Sequence, residues 1–260
     1  MNTEERFSNP ENPCRAAIGL LVPARNVVAE VDIHRMMPNG VHVYTARVFN
    51  EEPESLRYDA DEQDRLKLDG VPEAALRIAE VKPNVVAFCC TSRSFIGGER
   101  GNQLVTESIR ERVGVPVVTA STAVAQAASA LNLHKIALGC PYSEVMIQRL
   151  RRLLSAVECE VMRYETIPWE TRNREGVALN LARRLDGQDI DGILLSCTNF
   201  RAASSVALIE QEIEKPVITS NQATAWACMR WAGLDDRVAG FGALLQLPLS
   251  PAGAWSAPGG

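Results

Sequence analysis

Two stretches of this 260-residue chain decide the fold: VVAFCCTS at residues 85–92 and ILLSCTN at residues 193–199. Each is a short apolar run that ends in Cys-Thr. Two further patterns also occur twice, in the same order around them. IGLLVP at 18–23 returns as IALGCP at 136–141, and VPVVTAS at 115–121 returns as KPVITSN at 215–221. Ile18 and Ile136 lie 118 residues apart, Cys90 and Cys197 lie 107 apart, and Pro116 and Pro216 lie 100 apart. The separations shrink steadily, as insertions in the first copy would produce. One such match arises easily by chance; three in one order point to an internal duplication.

The runs read as strands. IGLLV, VHVYTARV, VVAFCC and VPVVTA belong to the first half, and IALGC, ECEVMRY, GILLSC and KPVITS to the second. Near-continuous apolar runs suit parallel strands covered on both faces. Helical spacing fills the gaps. Residues 72–81 are amphipathic and stop before Pro83, residues 143–154 start on Ser143, and residues 175–185 form a third amphipathic segment. Alternating strand and helix predicts an α/β protein with parallel sheets and right-handed crossovers. Two copies predict two lobes related by a pseudo-twofold axis, each a parallel sheet flanked by helices. Residues 16–118 form the body of the first lobe and 119–220 the second, with 1–15 and the Pro/Gly/Ala-rich 248–260 as flexible tails.

Composition narrows the function. The chain is 46% hydrophobic, 23% charged and 5% aromatic, enough for one large domain or two small ones. With 27 Lys and Arg against 32 Asp and Glu, the formal net charge is −5. That argues against nucleic acid as a partner but leaves room for a small anion bound by backbone N–H groups. The seven cysteines show no CxxC, and His34, His42 and His134 do not cluster with them, so no metal site is expected. The polar N-terminus holds no signal-like apolar core, and no apolar run approaches the ~18 residues of a membrane span. A cytoplasmic protein with reduced thiols, and no membrane partner, is expected.

In open α/β sheets, ligands bind beyond the carboxyl ends of the strands. That rule gathers residues 23–26, 90–92, 141–142 and 197–199. For the second Cys-Thr, residues 199–214 (NFRAASSVALIEQEIE) read as a helix that starts directly behind Cys197. A cysteine at a helix N-terminus feels the positive end of the dipole, which favours thiolate. Facing lobes would place Cys90 and Cys197 on either side of one cleft. One thiolate could then attack or take a proton while the other thiol donates one, with no metal or organic cofactor. The hydroxyls of Thr91, Ser92 and Thr198 could hold a carboxylate. Asn26 reads as either a helix cap or a ligand, Tyr142 as either a wall or a ligand, and Ser220 and Asn221 as strand-end and capping residues. Cys14, Cys140, Cys159 and Cys228 read as structural. Alternation turns Cys89 away from the face of Cys90.

Four segments carry a resemblance: IGLLVPARNVVAE at 18–30, CTSRSFIGG at 90–98, LSCTNFR at 195–201 and TSNQATAW at 219–226. Together they resemble the maleate cis–trans isomerases, which are grouped with arylmalonate decarboxylases in the Asp/Glu racemase superfamily. The resemblance implies a two-lobed α/β fold with the active site between the lobes, residues 221–247 crossing back to the first lobe, a small dicarboxylate substrate, no cofactor and a homo-oligomer such as a dimer. It implies that Cys90 is the nucleophile that adds to the alkene carbon of maleate and that Cys197 supplies and removes the proton. Asn26 would hold one carboxylate, and Thr91, Ser92 and Tyr142 the other. Asn173, in the loop at 169–176, is a further ligand candidate. Arg25 and Arg93 depart from the pattern, standing where similar members carry Ser and Gly. Two other activities share the scaffold. Amino-acid racemases of this superfamily typically carry Asp-Ser-Gly in the first loop, where this chain reads PARN. Arylmalonate decarboxylases carry Gly at the position of Cys90. A non-catalytic binder would have no need for two thiols in its cleft.

Overall fold

A computed structural model describes residues 13–49 and 68–248. In chain order the elements are β1 (Ala16–Pro23), α1 (Ala29–Arg35), β2 (Val41–Val48), α2 (Val71–Ala79), β3 (Val85–Phe88), α3 (Thr91–Phe95), α4 (Gly98–Val113), β4 (Val117–Thr119) and α5 (Ala120–Ala130). The second half follows with β5 (Lys135–Cys140), α6 (Glu144–Ser155), β6 (Glu160–Thr166), α7 (Val177–Leu185), β7 (Gly192–Leu195), a 3-10 turn (Ala203–Ser205), α8 (Val206–Ile213), β8 (Val217–Thr219), α9 (Ser220–Trp231) and a last 3-10 turn (Ala243–Gln246).

The strands form two four-stranded sheets, ordered β2-β1-β3-β4 and β6-β5-β7-β8, with every pairing parallel. The same order in both halves makes the duplication structural. The central strands β1, β3 and β7 are buried along their whole length and β5 along all but Lys135, which is why they read as unbroken apolar runs. A glycine lets one helix come close to each sheet. A Cβ at Gly19 would stand 2.7 Å from Ile78 Cγ1 of α2, and one at Gly139 would stand 2.6 Å from Leu181 Cδ2 of α7.

All eight expected strands are present, with one difference at the ends that matter. β3 stops at Phe88 and β7 at Leu195, each two residues before its cysteine. One hydrogen bond then continues each ladder: the Cys89 N–H donates to the Leu21 carbonyl at 2.9 Å, and the Ser196 N–H to the Gly139 carbonyl at 2.8 Å. Three of the four predicted helices appear as α2, α6 and α7, each within two residues of its expected bounds, whereas the one expected over 199–214 appears only as α8, from Val206. Ser143 stands at the N-cap of α6, but its hydroxyl makes no capping bond.

Thr119 and Thr219 cap α5 and α9 alike, each hydroxyl accepting the N–H three residues on at 3.1 Å. These two helices pack against each other, and α9 also lies against α1, β3 and β4 of the first half. The main apolar core runs through both halves, taking in Ile18, Phe95, Leu138, Phe200 and Trp226. A smaller core lies between the first sheet and helices α2 and α4. Position 15, expected in a flexible tail, is anchored: the Arg15 guanidinium grips both carboxylate oxygens of Asp236 at 2.8 and 2.7 Å. Residues 1–12 and 249–260 of the expected tails lie outside the described residues. Among the described residues, no helix is long and apolar enough to cross a membrane, and no group of three or more His, Cys, Asp or Glu side chains is placed to hold a metal ion.

Candidate active site

Hydrogen bonds stitch the two Cys-Thr turns together. Thr198 donates its hydroxyl to the Cys89 carbonyl at 3.0 Å and accepts from Asn26 Nδ2 at 3.1 Å. Thr91 donates its hydroxyl to Ser220 Oγ at 3.0 Å, and the same oxygen accepts the Cys197 N–H at 3.1 Å. The residues next to Cys90 and the residues next to Cys197 are therefore direct neighbours or share one bridging hydroxyl. Both cysteines are nearly buried, with 4% and 7% of their surface exposed.

Each sulfur has a local polar contact. Cys90 Sγ lies 3.7 Å from Ser92 Oγ. Cys197 Sγ accepts the Asn199 N–H at 3.4 Å. The backbone around them differs. Cys90 is the N-cap residue of α3, a helix of only 5 residues. Cys197 precedes no helix: residues 198–202 make an irregular turn, and α8 starts only at Val206. The expected dipole at Cys197 is thus absent, and at Cys90 it comes from little more than one turn. Cys197 instead has φ 154°, a backbone region that residues with a side chain rarely adopt.

Asn26 takes the capping part of its expected reading. Its Oδ1 accepts the N–H groups of Val28 and Ala29 at 2.9 and 3.0 Å, which caps α1. Its Nδ2 reaches across to Thr198 with one N–H, and the amide carries a second. Arg47, paired with Glu30, donates to the Asn26 carbonyl at 2.6 Å. Tyr142, just past β5, packs edge-on against Phe95 at the end of α3, with ring centroids 5.8 Å apart. Asn173 is held through Oδ1, which accepts the Arg201 N–H at 2.9 Å, so its loop lies against the turn behind Cys197. Arg93 places its guanidinium 5.9 Å over the Phe88 ring and donates to the Asp69 carbonyl at 3.4 Å. Arg25 is exposed.

The other cysteines are of a different kind. Cys89 is fully buried in the main core, whereas Cys90 belongs to the smaller one, as strand alternation requires. Burial pushes the Cys140 and Cys228 thiols up to about 12 and Cys159 to about 11, so they stay protonated and inert.

Four residues at this site escaped a ligand or catalytic reading of the sequence. Ser220 bridges the two turns. Asn199 Oδ1 accepts the Val27 N–H at 3.2 Å. Asn221 Nδ2 donates to the Thr198 carbonyl at 3.1 Å and to Asp32 Oδ2 at 2.8 Å. Asp32 is a buried carboxyl group whose pKa burial pushes up, against the pull of Asn221, Arg35 and Arg201. Only Ser220 and Asn221 carried a usable signal, since both follow the repeated Pro-Val-x-Thr.

The two sheets share one strand order, and their Cys-Thr turns meet at one seam. A family model described as arylmalonate decarboxylase matches residues 18–245. The chain belongs to the arylmalonate decarboxylase family. The arylmalonate decarboxylase of Bordetella bronchiseptica is 28% identical over 224 residues, covering 83% of this chain and 90% of that protein. The maleate isomerase of Pseudomonas putida S16 superposes with a TM-score of 0.78 at 19% identity, over 89% of this chain and 98% of that one. A Nocardia farcinica maleate cis–trans isomerase, solved as a cysteine-to-serine variant with a covalently bound succinylcysteine intermediate, superposes with a TM-score of 0.75 at 22% identity, over 89% of this chain and 98% of that one. These neighbours share the two-lobed α/β fold. As relatives within the arylmalonate decarboxylase family are isomerases or decarboxylases, this member is an enzyme.

Proposed function

We propose that this enzyme isomerises a cis-unsaturated dicarboxylate, maleate to fumarate, through a covalent adduct on Cys90. The observation that carries the reading is the pair of thiols on the two stitched turns, Cys90 and Cys197. The Cys90 thiolate adds to one alkene carbon, and the electron pair of the double bond moves toward the far carboxylate. The Cys197 thiol protonates the neighbouring carbon, which leaves a succinyl adduct with a single bond free to rotate. After rotation, the Cys197 thiolate removes a proton from that carbon, the double bond re-forms as trans, and the Cys90 thiolate departs. The chemistry needs no cofactor, because both proton and nucleophile come from the protein. Asn26 holds one carboxylate with its remaining N–H. Thr91, Ser92 and Tyr142 line the place of the other, where negative charge develops. Thr198 supports the site by holding Asn26, and Asn173 offers its N–H groups from the loop at 169–176. The working form is read as a homo-oligomer, which light scattering checks.

Two features support this reading. A covalent succinylcysteine in the Nocardia farcinica neighbour is the adduct that the scheme requires. Cys90 stands where the resemblance gives decarboxylases a glycine. The decarboxylase reading keeps one observation in its favour, the 28% identity to the Bordetella bronchiseptica enzyme. Proton NMR of the purified protein with maleate in heavy water tests the choice. A growing fumarate signal supports the isomerase. No fumarate, together with CO2 release from phenylmalonate, replaces it with the decarboxylase. Deuterium exchange into an amino acid replaces it with a racemase.

A further inference from the structure

The two Cys-Thr turns are pinned in the same way but by different chemistry. In the first half the Thr91 carbonyl accepts the hydroxyls of Ser94 and Ser121 at 2.9 and 3.1 Å. Ser121 is the second residue of α5. The second residue of α9 is Asn221, and its Nδ2 holds the equivalent carbonyl, that of Thr198, at 3.1 Å. There the likeness ends. The same Nδ2 also donates to Asp32 Oδ2 at 2.8 Å, across the seam on α1. Asp32, Asn221 and Thr198 are all at least nine-tenths buried. A carbonyl oxygen can only accept, so the Thr198 contact fixes which end of the carboxamide faces it. Asn221 Oδ1 is buried and makes no hydrogen bond, so nothing on that side holds the amide. Its orientation rests on two acceptors, the Thr198 carbonyl and the Asp32 carboxyl group.

We propose that Asp32 is a positioning residue for Cys197: its carboxyl group orients the Asn221 carboxamide, which holds the Thr198 carbonyl and so sets the turn that presents the Cys197 sulfur. This inference rests on the reading of Cys197 as a reacting thiol. The turn needs such a hold. It lacks a following helix, and Cys197 sits at φ 154°. The groups facing Asp32 are Arg35 on its own helix, Arg201 from the turn behind Cys197, and Asn221 from α9. Two of these three come from the parts being aligned. Asp32 therefore links α1, α9 and the Cys197 turn at one point.

The experiment compares Asp32→Ala, Asp32→Asn and Asn221→Ala with the parent protein. Iodoacetamide is the probe, with alkylation of Cys197 and Cys90 followed separately by peptide mass spectrometry, alongside kcat and KM for maleate. In Asp32→Ala we expect Cys197, now in a loosened turn, to alkylate about fivefold faster or more, with Cys90 within about twofold. We expect kcat to fall about tenfold or more with a smaller change in KM. Asp32→Asn keeps an acceptor of the same shape and recovers most of both effects. Asn221→Ala matches Asp32→Ala, and the double variant is no worse than either, as expected for one chain of contacts. Cys197 alkylation that is unchanged or slower in folded Asp32→Ala, or equal acceleration at both cysteines, overturns the proposal. If Asp32→Ala does not fold by circular dichroism, Asn221→Ala carries the same expectation. Should the protein turn out not to act on maleate, the alkylation rates still decide this question by themselves.

Discussion

The hydroxyl of Thr198 donates to the carbonyl of Cys89 across 3.0 Å, joining residues 109 positions apart in the chain. Each partner is the immediate neighbour of a candidate reacting cysteine. The relative placement of Cys90 and Cys197 is thus set by main chain and short side chains, with no long flexible arm between them. Short, buried contacts of this kind suit a mechanism in which two sulfurs must meet one small molecule from opposite sides.

Replacing either Cys90 or Cys197 with Ala is expected to lower maleate turnover by about a thousandfold or more, because in the proposed scheme each sulfur performs a step of its own. The double variant should be little worse than either single one. NMR assays together with thermal melts check this, and appreciable turnover in one folded single variant removes the two-thiol scheme.

Thr198→Val should leave the buried Cys89 carbonyl without its donor and cost about 1–3 kcal/mol of stability. Thr198→Ser keeps the hydroxyl and should cost far less. Urea denaturation of the two variants compares them, and equal losses would show that the hydroxyl contributes nothing beyond shape.

Glycine usually destabilises relative to alanine, by about 0.5–1 kcal/mol in regular structure. At position 197 the order should reverse, since φ 154° suits a residue with no Cβ. Thermal melts of Cys197→Gly and Cys197→Ala test this, with Gly expected to melt at or above Ala.

Asp32 should make stability depend on pH. Burial raises its pKa in the folded state, so the folded protein keeps this proton where the unfolded chain has lost it. The resulting stabilisation is fully present below the unfolded value and is lost as pH rises through the folded one. Asp32→Asn removes this dependence. Its melting temperature relative to the parent should therefore climb from about pH 4 toward neutrality. A difference that is flat or falls over that range would contradict the buried carboxyl.

Alkylation should also sort the cysteines. With pKa values near 12, Cys140 and Cys228 should resist iodoacetamide at pH 8 in the native protein, while Cys90 and Cys197 react. Prompt labelling of Cys140 or Cys228 in the folded state would show that their burial is not maintained.

The architecture was legible because the strands are buried on both faces, so their apolar runs stand out between polar helical segments. The duplication was legible because each run ends in residues that recur, Cys-Thr and Pro-Val-x-Thr. The region behind Cys197 was not. Residues 199–202 have adequate helical character, yet tertiary bonds claim them. Asn199 gives its side chain to the Val27 N–H and its carbonyl to Arg172 Nε, and the Arg201 N–H goes to Asn173. Such distant partners override local propensity and leave no trace in the local sequence. Asp32 was illegible for a similar reason. An acidic residue in a short helix reads as surface, and its partner Asn221 lies 189 positions further on.

The packing of α9 against α1, β3 and β4 has a consequence for biosynthesis. The first sheet is translated first, but the helix that completes its cover follows the whole of the second sheet. A nascent chain emerging from the ribosome cannot finish its first half until most of the second has been made. Ser220, the bridge between Thr91 and Cys197, arrives on that same late helix. A chain that stops before residue 220 would therefore carry both cysteines and still lack the hydroxyl that bridges their turns.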